Sequence, residues 1–548
     1  MNQSLRGADV LARALAQGGT RRLFSLSGNH IMPVYDAALD ARLAITHVRH
    51  EGAAVHMADA WGRLTGEPGI ALLTGGPGHA NGVGALYTAL AAESPLVMLS
   101  GSAPLSEVGR GSFQEMPQAE LAAPVTKASW TAQKAEALGE DIARAMRIAR
   151  SGRPGPVHVS LPFDLLEKKV IDAVAVADAA FRPDAQPLTA AAADAAIAEI
   201  ARAQRPLILV GPVMGNAHAA RQRLAQATGA PVVCMESPRG VNDATLGAFA
   251  DVLKEADFIL LLGKQLDYSL RFGAAAAGAR YGLIDPDAAA LERARRSLGA
   301  DRIAFAVPAD SATAADTLAT RGAARRGASA WADEVEAAVR YRPVEWSRIA
   351  SASAGPLHPL EVAGAARALV ERSPEAVLVI DGGEYCQWAQ ACITASTRLI
   401  NGVAGSIGSA LPFALAARIA RPNAPVVAML GDGTFGFHMA EFDTAARERL
   451  PFVAIVGNDA CWNAEHQIQL RAYGRERAHG CELLPARYDL AVAALGGHGE
   501  HVVRAADLPG ALERAAASGK PACVNVMIER LPAPTVARGA AARTGAGH

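Results

Sequence analysis

The sequence lacks the features that direct a protein to nucleic acid, a membrane or an oxidising compartment. Its 53 Lys and Arg residues balance 54 Asp and Glu residues, and a net charge of −1 gives no broad basic surface for nucleic acid or anionic membranes. No apolar run reaches the roughly 18–20 residues of a membrane span. The six cysteines form no CxxC pair, so we expect a reduced, cytoplasmic protein without a nucleic-acid or membrane partner.

Aromatic residues are also scarce, at 5%, although 51% of the chain is hydrophobic and 548 residues suffice for about three domains. Short apolar runs alternate with helix-like segments, which predicts an α/β fold of three doubly wound parallel-sheet domains. Stretches near 171–187 and 322–357, rich in small and polar residues, are interpreted as linkers. The predicted parts are 1–170, 188–325, 356–530 and a flexible low-complexity tail, 531–548.

Two predicted strands carry the main candidate site at their carboxyl ends. Strand Val426–Leu430 ends in Gly431-Asp432-Gly433, and after a helix predicted over Met439–Arg449 the strand Phe452–Val456 ends at Asn458-Asp459. Parallel strands joined by a crossover helix end at the same sheet edge, so the two aspartates are expected side by side. Oxygen ligands beside a glycine turn suit a magnesium ion held against a diphosphate.

A lone Gly-Asp-Gly sequence is more often a tight turn than a binding site. Here a second acidic strand end follows, which favours the binding site. The chain also repeats one spacing, because 20 residues lead from Gly75 to Pro95 and 20 from Gly431 to Pro451, each time through a glycine turn and a helix. The first and third parts are therefore predicted to share a fold.

The Gly431-Asp432-Gly433 turn, followed after 24 residues by Asn458-Asp459, resembles the thiamin diphosphate motif of the superfamily of acetolactate synthase, pyruvate decarboxylase and benzaldehyde lyase. The resemblance covers nearly the whole chain, as pyrimidine-binding, middle and diphosphate-binding domains. It implies that Asp432 and Asp459 bind Mg²⁺ through side chains and Cys461 through its main-chain carbonyl. It also implies cofactor contacts from Gly431, Gly433 and Thr434. Asp459 departs from the pattern, because many members have Asn there.

The same resemblance assigns roles near the first helices. Glu51 matches the family glutamate that hydrogen-bonds the aminopyrimidine of the cofactor and so helps to form the reactive ylid. Without that context, a carboxylate at the start of a helix is usually a cap. Gly78 and Asn81 match a family turn, Gly-Pro-Gly-x-x-Asn, that shapes the pyrimidine pocket.

Four further residues take roles from the resemblance. Gln114, in Phe113-Gln114-Glu115, would face the substrate, and a solvated loop is the alternative. His30 resembles a histidine of benzaldehyde lyase that lies near the substrate carbonyl and transfers a proton, and a structural histidine is the alternative. In Gly402–Gly408, the Gly405 carbonyl would accept from the ring amine and Ile407 would hold the cofactor in its V shape.

In the middle part, Gly263-Lys264-Gln265-Leu266-Asp267-Tyr268 replaces the segment typical of acetolactate synthases that bind FAD. It is closer to the pattern of hydroxyacyl-CoA lyase and oxalyl-CoA decarboxylase. This argues against FAD and leaves a CoA or nucleotide contact open. Asp285 and Asp287 follow a strand and would either touch a ribose or cap the next helix.

The resemblance therefore predicts an enzyme that uses thiamin diphosphate and Mg²⁺ to make or break carbon–carbon bonds next to a carbonyl, like acetolactate synthase acting on 2-keto acids. Activity of the 2-hydroxyacyl-CoA lyase, oxalyl-CoA decarboxylase or benzaldehyde lyase type, on acyl-CoA or 2-hydroxy ketones, stays open. A non-catalytic nucleotide-binding or scaffold homologue is the alternative from another class. The family implies a homodimer or homotetramer with active sites at the subunit interface.

Overall fold

The computed structural model describes residues 5–171, 175–322 and 330–538, and its contacts divide the chain into two compact units. The first contains residues up to Ala185 together with Leu411–Pro422 and His438–Leu450. The second contains Gln186–Ala410, Asn423–Phe437 and the residues from Pro451 onward. Within the described ranges, no helix combines the length and the apolar character needed to cross a bilayer.

The first unit contains a six-stranded parallel sheet. Its central strand Gly69–Leu73 is buried throughout, as expected where helices cover both faces of a parallel sheet. In spatial order the strands are Ala44–His47, Arg22–Ser25, Gly69–Leu73, Leu96–Ser102, Pro156–Pro162 and Ala128–Thr131. The helices of this unit are Gly7–Gln17, Met32–Asp40, Glu51–Thr65, Pro77–Ala91, Gln118–Ala122, Leu138–Arg150, Phe163–Glu167, Glu441–Arg447 and, from Leu411 onward, Ala410–Ala420.

The second unit contains two parallel sheets, of which the first has five strands. In spatial order these are Val232–Cys234, Pro206–Val210, Phe258–Leu262, Arg280–Ile284 and Ile303–Val307. The helices of this part are Ala190–Arg202, His218–Thr228, Phe249–Leu253, Ala288–Leu298, Ser311–Arg321 and Ala330–Arg340.

The last of these helices lies in the 322–357 stretch interpreted as a linker. Trp331 and Val335 are buried in the core of the five-stranded sheet, and the Trp331 indole donates to the Pro206 carbonyl at 2.8 Å. The Ala- and Arg-rich composition masked this helical spacing, so the linker interpretation is wrong over Ala330–Arg340. Residues 323–329, like 172–174 of the other interpreted linker and 539–548 of the expected flexible tail, lie outside the described residues.

The third sheet again has six parallel strands, and it has the same order of strands along the chain as the sheet of the first unit. This confirms the shared fold that the repeated spacing predicts. In spatial order its strands are Thr397–Ile400, Val377–Asp381, Val426–Gly431, Val453–Asn458, Ala522–Met527 and His498–Val502. Helices of the second unit in this part of the chain are Pro359–Val370, Glu384–Cys392, Asp432–His438, Asn463–Tyr473, Tyr488–Ala494 and Leu508–Ala517.

The middle sheet offers a test of packing that leaves the candidate site untouched. Leu260 is fully buried in strand Phe258–Leu262. We expect Leu260→Ala to cost about 2–5 kcal/mol, because it removes buried methyl groups and leaves a cavity. Differential scanning calorimetry should show a lower unfolding temperature, whereas Leu39→Ala, at a side chain 77% exposed, should leave it nearly unchanged. Equal shifts for the two variants would contradict the packing described here.

Candidate active site

In the second unit, two neighbouring parallel strands end in the predicted acidic positions. Pairing places Gly431 opposite Gly457, so Asp432 and Asp459 leave adjacent strands at one sheet edge. The helix predicted over Met439–Arg449 spans Glu441–Arg447. A separate helix, Asp432–His438, precedes it and starts directly after the strand. The glycine turn is therefore the first turn of a helix, whose N–H groups and dipole favour an anion such as phosphate.

The surroundings of both carboxylates disfavour their charged forms. Asp432 is buried, and its Oδ1 accepts the Gly433 N–H at 2.9 Å while its Oδ2 has no hydrogen-bond partner among the described residues. Burial raises the pKa of Asp432 to about 6. Burial, followed by the negative charge of Asp432, raises the pKa of Asp459 to about 7. An unpartnered carboxylate oxygen beside a second acid fits a divalent cation.

The segment after Asn458 is held in an unusual conformation. Ala460 has φ +52°, a region that non-glycine residues rarely adopt. The Arg530 guanidinium donates to the Asp459 carbonyl at 3.0 and 3.2 Å and to the Ala460 carbonyl at 3.1 Å, and it pairs with Glu482 at 2.7 Å. Arg530 therefore fixes the backbone that leads into Cys461. It belongs to no spacing motif, and sequence reasoning missed it.

The two glycines at this helix start differ in the space around them. A Cβ on Gly433 would lie 2.6 Å from the Trp462 ring, so no side chain fits there. A Cβ on Gly431 would meet nothing within 4 Å, so the space above it is open to a ligand. Thr434 is buried in the next position. Across the described residues no three His, Cys, Asp or Glu side chains converge as a metal site, so a metal here needs main-chain or ligand oxygens as well.

A third acidic strand end, which the sequence reasoning missed, anchors the segment containing Gly405 and Ile407. Asp381 Oδ2 accepts the N–H groups of Gly408 and Ala410, both at 2.9 Å, while its Oδ1 is buried without a described partner. Burial raises the pKa of Asp381 to about 6. Gly405 has φ +66° and is exposed, whereas Ile407 is half-buried. The sequence signal that could have identified Asp381 is an apolar strand followed by Asp-Gly-Gly, similar to the strand that ends in Gly-Asp-Gly at 431–433.

In the first unit, Glu51, Gly78 and Asn81 come together as the sequence predicts. Asn81 Nδ2 donates to Glu51 Oε2 at 3.1 Å, and a Cβ on Gly78 would lie 3.4 Å from Glu51 Oε1 and 2.6 Å from Thr74. Glu51 is only 8% exposed. The helix it opens is capped by His50, whose Nδ1 accepts the Gly52 N–H at 3.0 Å. The cap is thus supplied by another residue, and the Glu51 carboxylate faces Asn81.

His30 and Gln114 lie in the same unit. The His30 ring stacks on Phe113, with centroids 6.0 Å apart and planes inclined by 14°. Burial lowers the pKa of His30, which keeps its imidazole neutral near pH 7. Gln114 has φ +58°, and a Cβ on Gly76 would lie 2.7 Å from the Gln114 Cβ. The strained backbone is supported by Glu115, whose carboxylate accepts the N–H groups of residues 109, 111 and 112.

Gln118 is a second residue that sequence reasoning missed. It is 3% exposed, and its Oε1 accepts the Gly76 N–H at 2.8 Å. Its Nε2 donates to the Gly101 carbonyl at 3.1 Å and to Ser160 Oγ at 3.0 Å. It thereby ties the glycine turn before Gly78 to two strand ends of the sheet. No sequence signal marks it, because a single glutamine outside a motif is usually a surface residue.

In the middle part, Asp287 caps the helix Ala288–Leu298 by accepting the Ala289 N–H at 2.9 Å. Asp285 in turn accepts the Asp287 N–H at 2.9 Å. The helix-cap alternative for Asp287 is therefore observed. Lys264 is buried, pairs with Asp267 at 3.1 Å and donates to the Gln265 carbonyl at 2.8 Å.

Three family models match the chain in order. They describe the N-terminal TPP binding domain, the central domain and the C-terminal TPP binding domain of thiamine pyrophosphate enzymes. The matched residues are 5–121, 193–317 and 381–526. The strand-end carboxylates Asp381, Asp432 and Asp459 fall within the last match, and Glu51 falls within the first.

Curated relatives cover almost the whole chain. The chain is 35% identical over 539 residues to the acetolactate synthase large subunit IlvG of Mycobacterium tuberculosis and to a probable acetolactate synthase of Mycobacterium bovis, with 96% of each chain covered. It is 28% identical over 580 residues to human 2-hydroxyacyl-CoA lyase 2, covering 96% of this chain and 90% of that protein.

The contacts of Arg530 predict a local effect on the strained segment. We expect Arg530→Gln to speed amide hydrogen exchange at 458–462 by about 5- to 10-fold, because hydrogen bonds to two carbonyls are lost. Mass spectrometry of the protein without ligands measures this. Arg504→Gln, which breaks a surface pair with Asp507, is the matched control and should leave that segment unchanged. Unaltered exchange in Arg530→Gln would show that Arg530 does not hold the loop.

Proposed function

Because the chain belongs to the thiamine pyrophosphate enzyme family, we propose that it decarboxylates a 2-keto acid and joins the acyl carbon to a second carbonyl compound, as an acetolactate synthase does. The family makes it a thiamin diphosphate-dependent enzyme. The observation that carries the proposal is Asp432, whose buried, unpartnered oxygen lies beside Asp459 at an open helix start. This is the arrangement that a metal-bound diphosphate needs.

Mg²⁺ would be held by the side chains of Asp432 and Asp459 and by the main-chain carbonyl of Cys461. Gly431, Gly433 and Thr434 would line the diphosphate site, since the open space above Gly431 lets the diphosphate approach. Gly405 and Ile407 would contact the ring system. When bound, thiamin diphosphate supplies a carbanion that attacks the substrate carbonyl and an electron sink for the bond that breaks.

The residues of the first unit would move protons. Asn81 donates a hydrogen bond to Oε2 of Glu51. Oε1 of Glu51 would then be the oxygen that exchanges a proton with a ring nitrogen of the cofactor. His30 is neutral, so its imidazole can accept a proton from a substrate hydroxyl and then return it. Gln114 would donate a hydrogen bond to the same substrate from its strained loop position.

We also propose a homodimer or homotetramer in which Glu51 of one subunit serves the Asp432 site of another. Exposed apolar side chains in both units favour burial by association, among them Phe113, Val108 and Phe437. Analytical ultracentrifugation of the loaded enzyme tests the assembly.

A 2-hydroxyacyl-CoA lyase is the second candidate, favoured by near full-length relatives of that name and by the Gly263–Tyr268 segment, which also leaves a CoA contact in the middle part open. A substrate panel separates the candidates: pyruvate, benzoin, a 2-hydroxyacyl-CoA and oxalyl-CoA, each with thiamin diphosphate and Mg²⁺. Turnover of pyruvate to acetolactate supports the first candidate. Cleavage of the acyl-CoA alone would replace it with the second.

Replacing Glu51 tests the proton-transfer role. We expect Glu51→Gln to lower kcat by about 100- to 10,000-fold, because the amide keeps the hydrogen bond to Asn81 and cannot exchange the proton. Cofactor affinity by calorimetry should stay close to that of the parent enzyme. Unchanged turnover would contradict the proton-transfer role of Glu51.

Replacing the carboxylates tests the metal role. We expect Asp432→Ala to weaken Mg²⁺-dependent uptake of thiamin diphosphate by more than about tenfold, because a side-chain ligand is lost. Asp459→Asn should bind within about tenfold of the parent, since an amide oxygen remains a suitable ligand. Titration calorimetry with and without EDTA measures both. Uptake that ignores EDTA, or that survives in Asp432→Ala, would contradict the metal assignment.

A further inference from the structure

A buried acid far from Glu51 in sequence contacts the backbone that presents it. Glu441 is completely buried and belongs to the first unit, as Glu51 does. Its Oε1 accepts the Arg49 N–H at 3.0 Å, and its Oε2 accepts the Thr444 hydroxyl at 2.7 Å. Burial raises the pKa of Glu441, while hydrogen bonds from Thr444 and from the backbones of Arg49 and His50 oppose the rise.

The contacted backbone is the junction between strand Ala44–His47 and the helix that Glu51 opens. A second residue of the helix Glu441–Arg447 also contacts this junction, since Arg447 Nη2 donates to the His47 carbonyl at 2.8 Å. Asp443 of this helix lies 3.5 Å from the Arg49 guanidinium. One short helix thus binds an N–H, a carbonyl and a side chain within three residues of the junction.

We infer that Glu441 is a positioning residue for Glu51, acting through the Arg49 N–H. The inference rests on the proposed function, because it assumes that Glu51 exchanges a proton with the cofactor. The partly buried N–H of Arg49 needs an acceptor, and here the acceptor comes from a different part of the chain. Moving the turn would move the first helical residue, and a small misplacement of a catalytic group lowers the rate strongly.

The chemistry of the contact separates positioning from charge. In Glu441→Gln, the amide oxygen can still accept the Arg49 N–H, and the amide nitrogen can donate to Thr444. In Glu441→Ala, both contacts are lost. A positioning role therefore requires that glutamine restores what alanine removes.

The experiment compares Glu441→Ala, Glu441→Gln, Glu51→Gln and the double variant Glu51→Gln with Glu441→Ala, as holoenzyme with pyruvate. We expect Glu441→Ala to lower kcat by about 10- to 100-fold with KM changed less than about threefold. Glu441→Gln should recover kcat to within about threefold. The double variant should be no slower than Glu51→Gln, because Glu441 acts only through Glu51.

A measurement without cofactor keeps this inference separate from the proposed function. Amide exchange at 49–52 in the ligand-free protein should rise about tenfold in Glu441→Ala and little in Glu441→Gln. The matched control is Asp257→Ala, which removes an acid that accepts the N–H groups of Gln204 and Arg205 in the second unit. It should leave both kcat and exchange at 49–52 unchanged.

The outcomes are distinct. Unchanged exchange at 49–52 in Glu441→Ala, additive losses in the double variant, or a glutamine variant as slow as the alanine variant would each overturn the positioning role. Full activity in Glu51→Gln would instead overturn the proposed function, whatever Glu441 does.

Discussion

The candidate site depends on two carboxylates at neighbouring strand ends, of which Asp432 is buried and Asp459 is half-buried. Parallel pairing of two strands brings Asp432 and Asp459 to one edge. Burial raises the pKa of Asp432 to about 6, and burial together with the charge of Asp432 raises the pKa of Asp459 to about 7. In the proposed function, a divalent ion held by both acids would stabilise the two charges. Arg530, on the Asp459 carbonyl, lowers the pKa of Asp459 and partly offsets the second negative charge.

Hydrogen bonds from main-chain N–H groups to carboxylates order three segments that carry candidate residues. Asp381 accepts N–H groups beside Ile407, Glu115 accepts those of the loop that presents Gln114, and Glu441 accepts the one before Glu51. A carboxylate that receives main-chain N–H groups fixes an irregular backbone more firmly than water does. The conformation of these loops therefore depends in part on acids from elsewhere in their sequence neighbourhood or in the fold.

Sequence reasoning predicted what local patterns and spacing determine. Short apolar runs predicted the parallel sheets, and the glycine-to-proline spacing predicted that two of them share a strand order. The adjacency of Asp432 and Asp459 followed from strand ends alone. Gln118, Arg530, Asp381 and Glu441 were missed, because each acts through contacts with residues distant in sequence and none belongs to a spacing motif. Helix Ala330–Arg340 was missed because its apolar positions, Trp331 and Val335, are embedded in an Ala- and Arg-rich stretch.

The synthase and lyase reactions for which the relatives are named share their central chemistry. Both make or break one carbon–carbon bond next to a carbonyl, so both need the same metal-bound diphosphate, the same acid at the pyrimidine and an uncharged proton carrier. In the proposed function, the second unit would hold the diphosphate, and the first unit would supply the acid and the proton carrier through Glu51, hydrogen-bonded by Asn81, and a neutral His30 stacked on Phe113. None of these groups distinguishes a small 2-keto acid from the acyl end of a thioester. Selection between them must therefore rest on groups that bind the rest of the substrate, away from the bond that reacts.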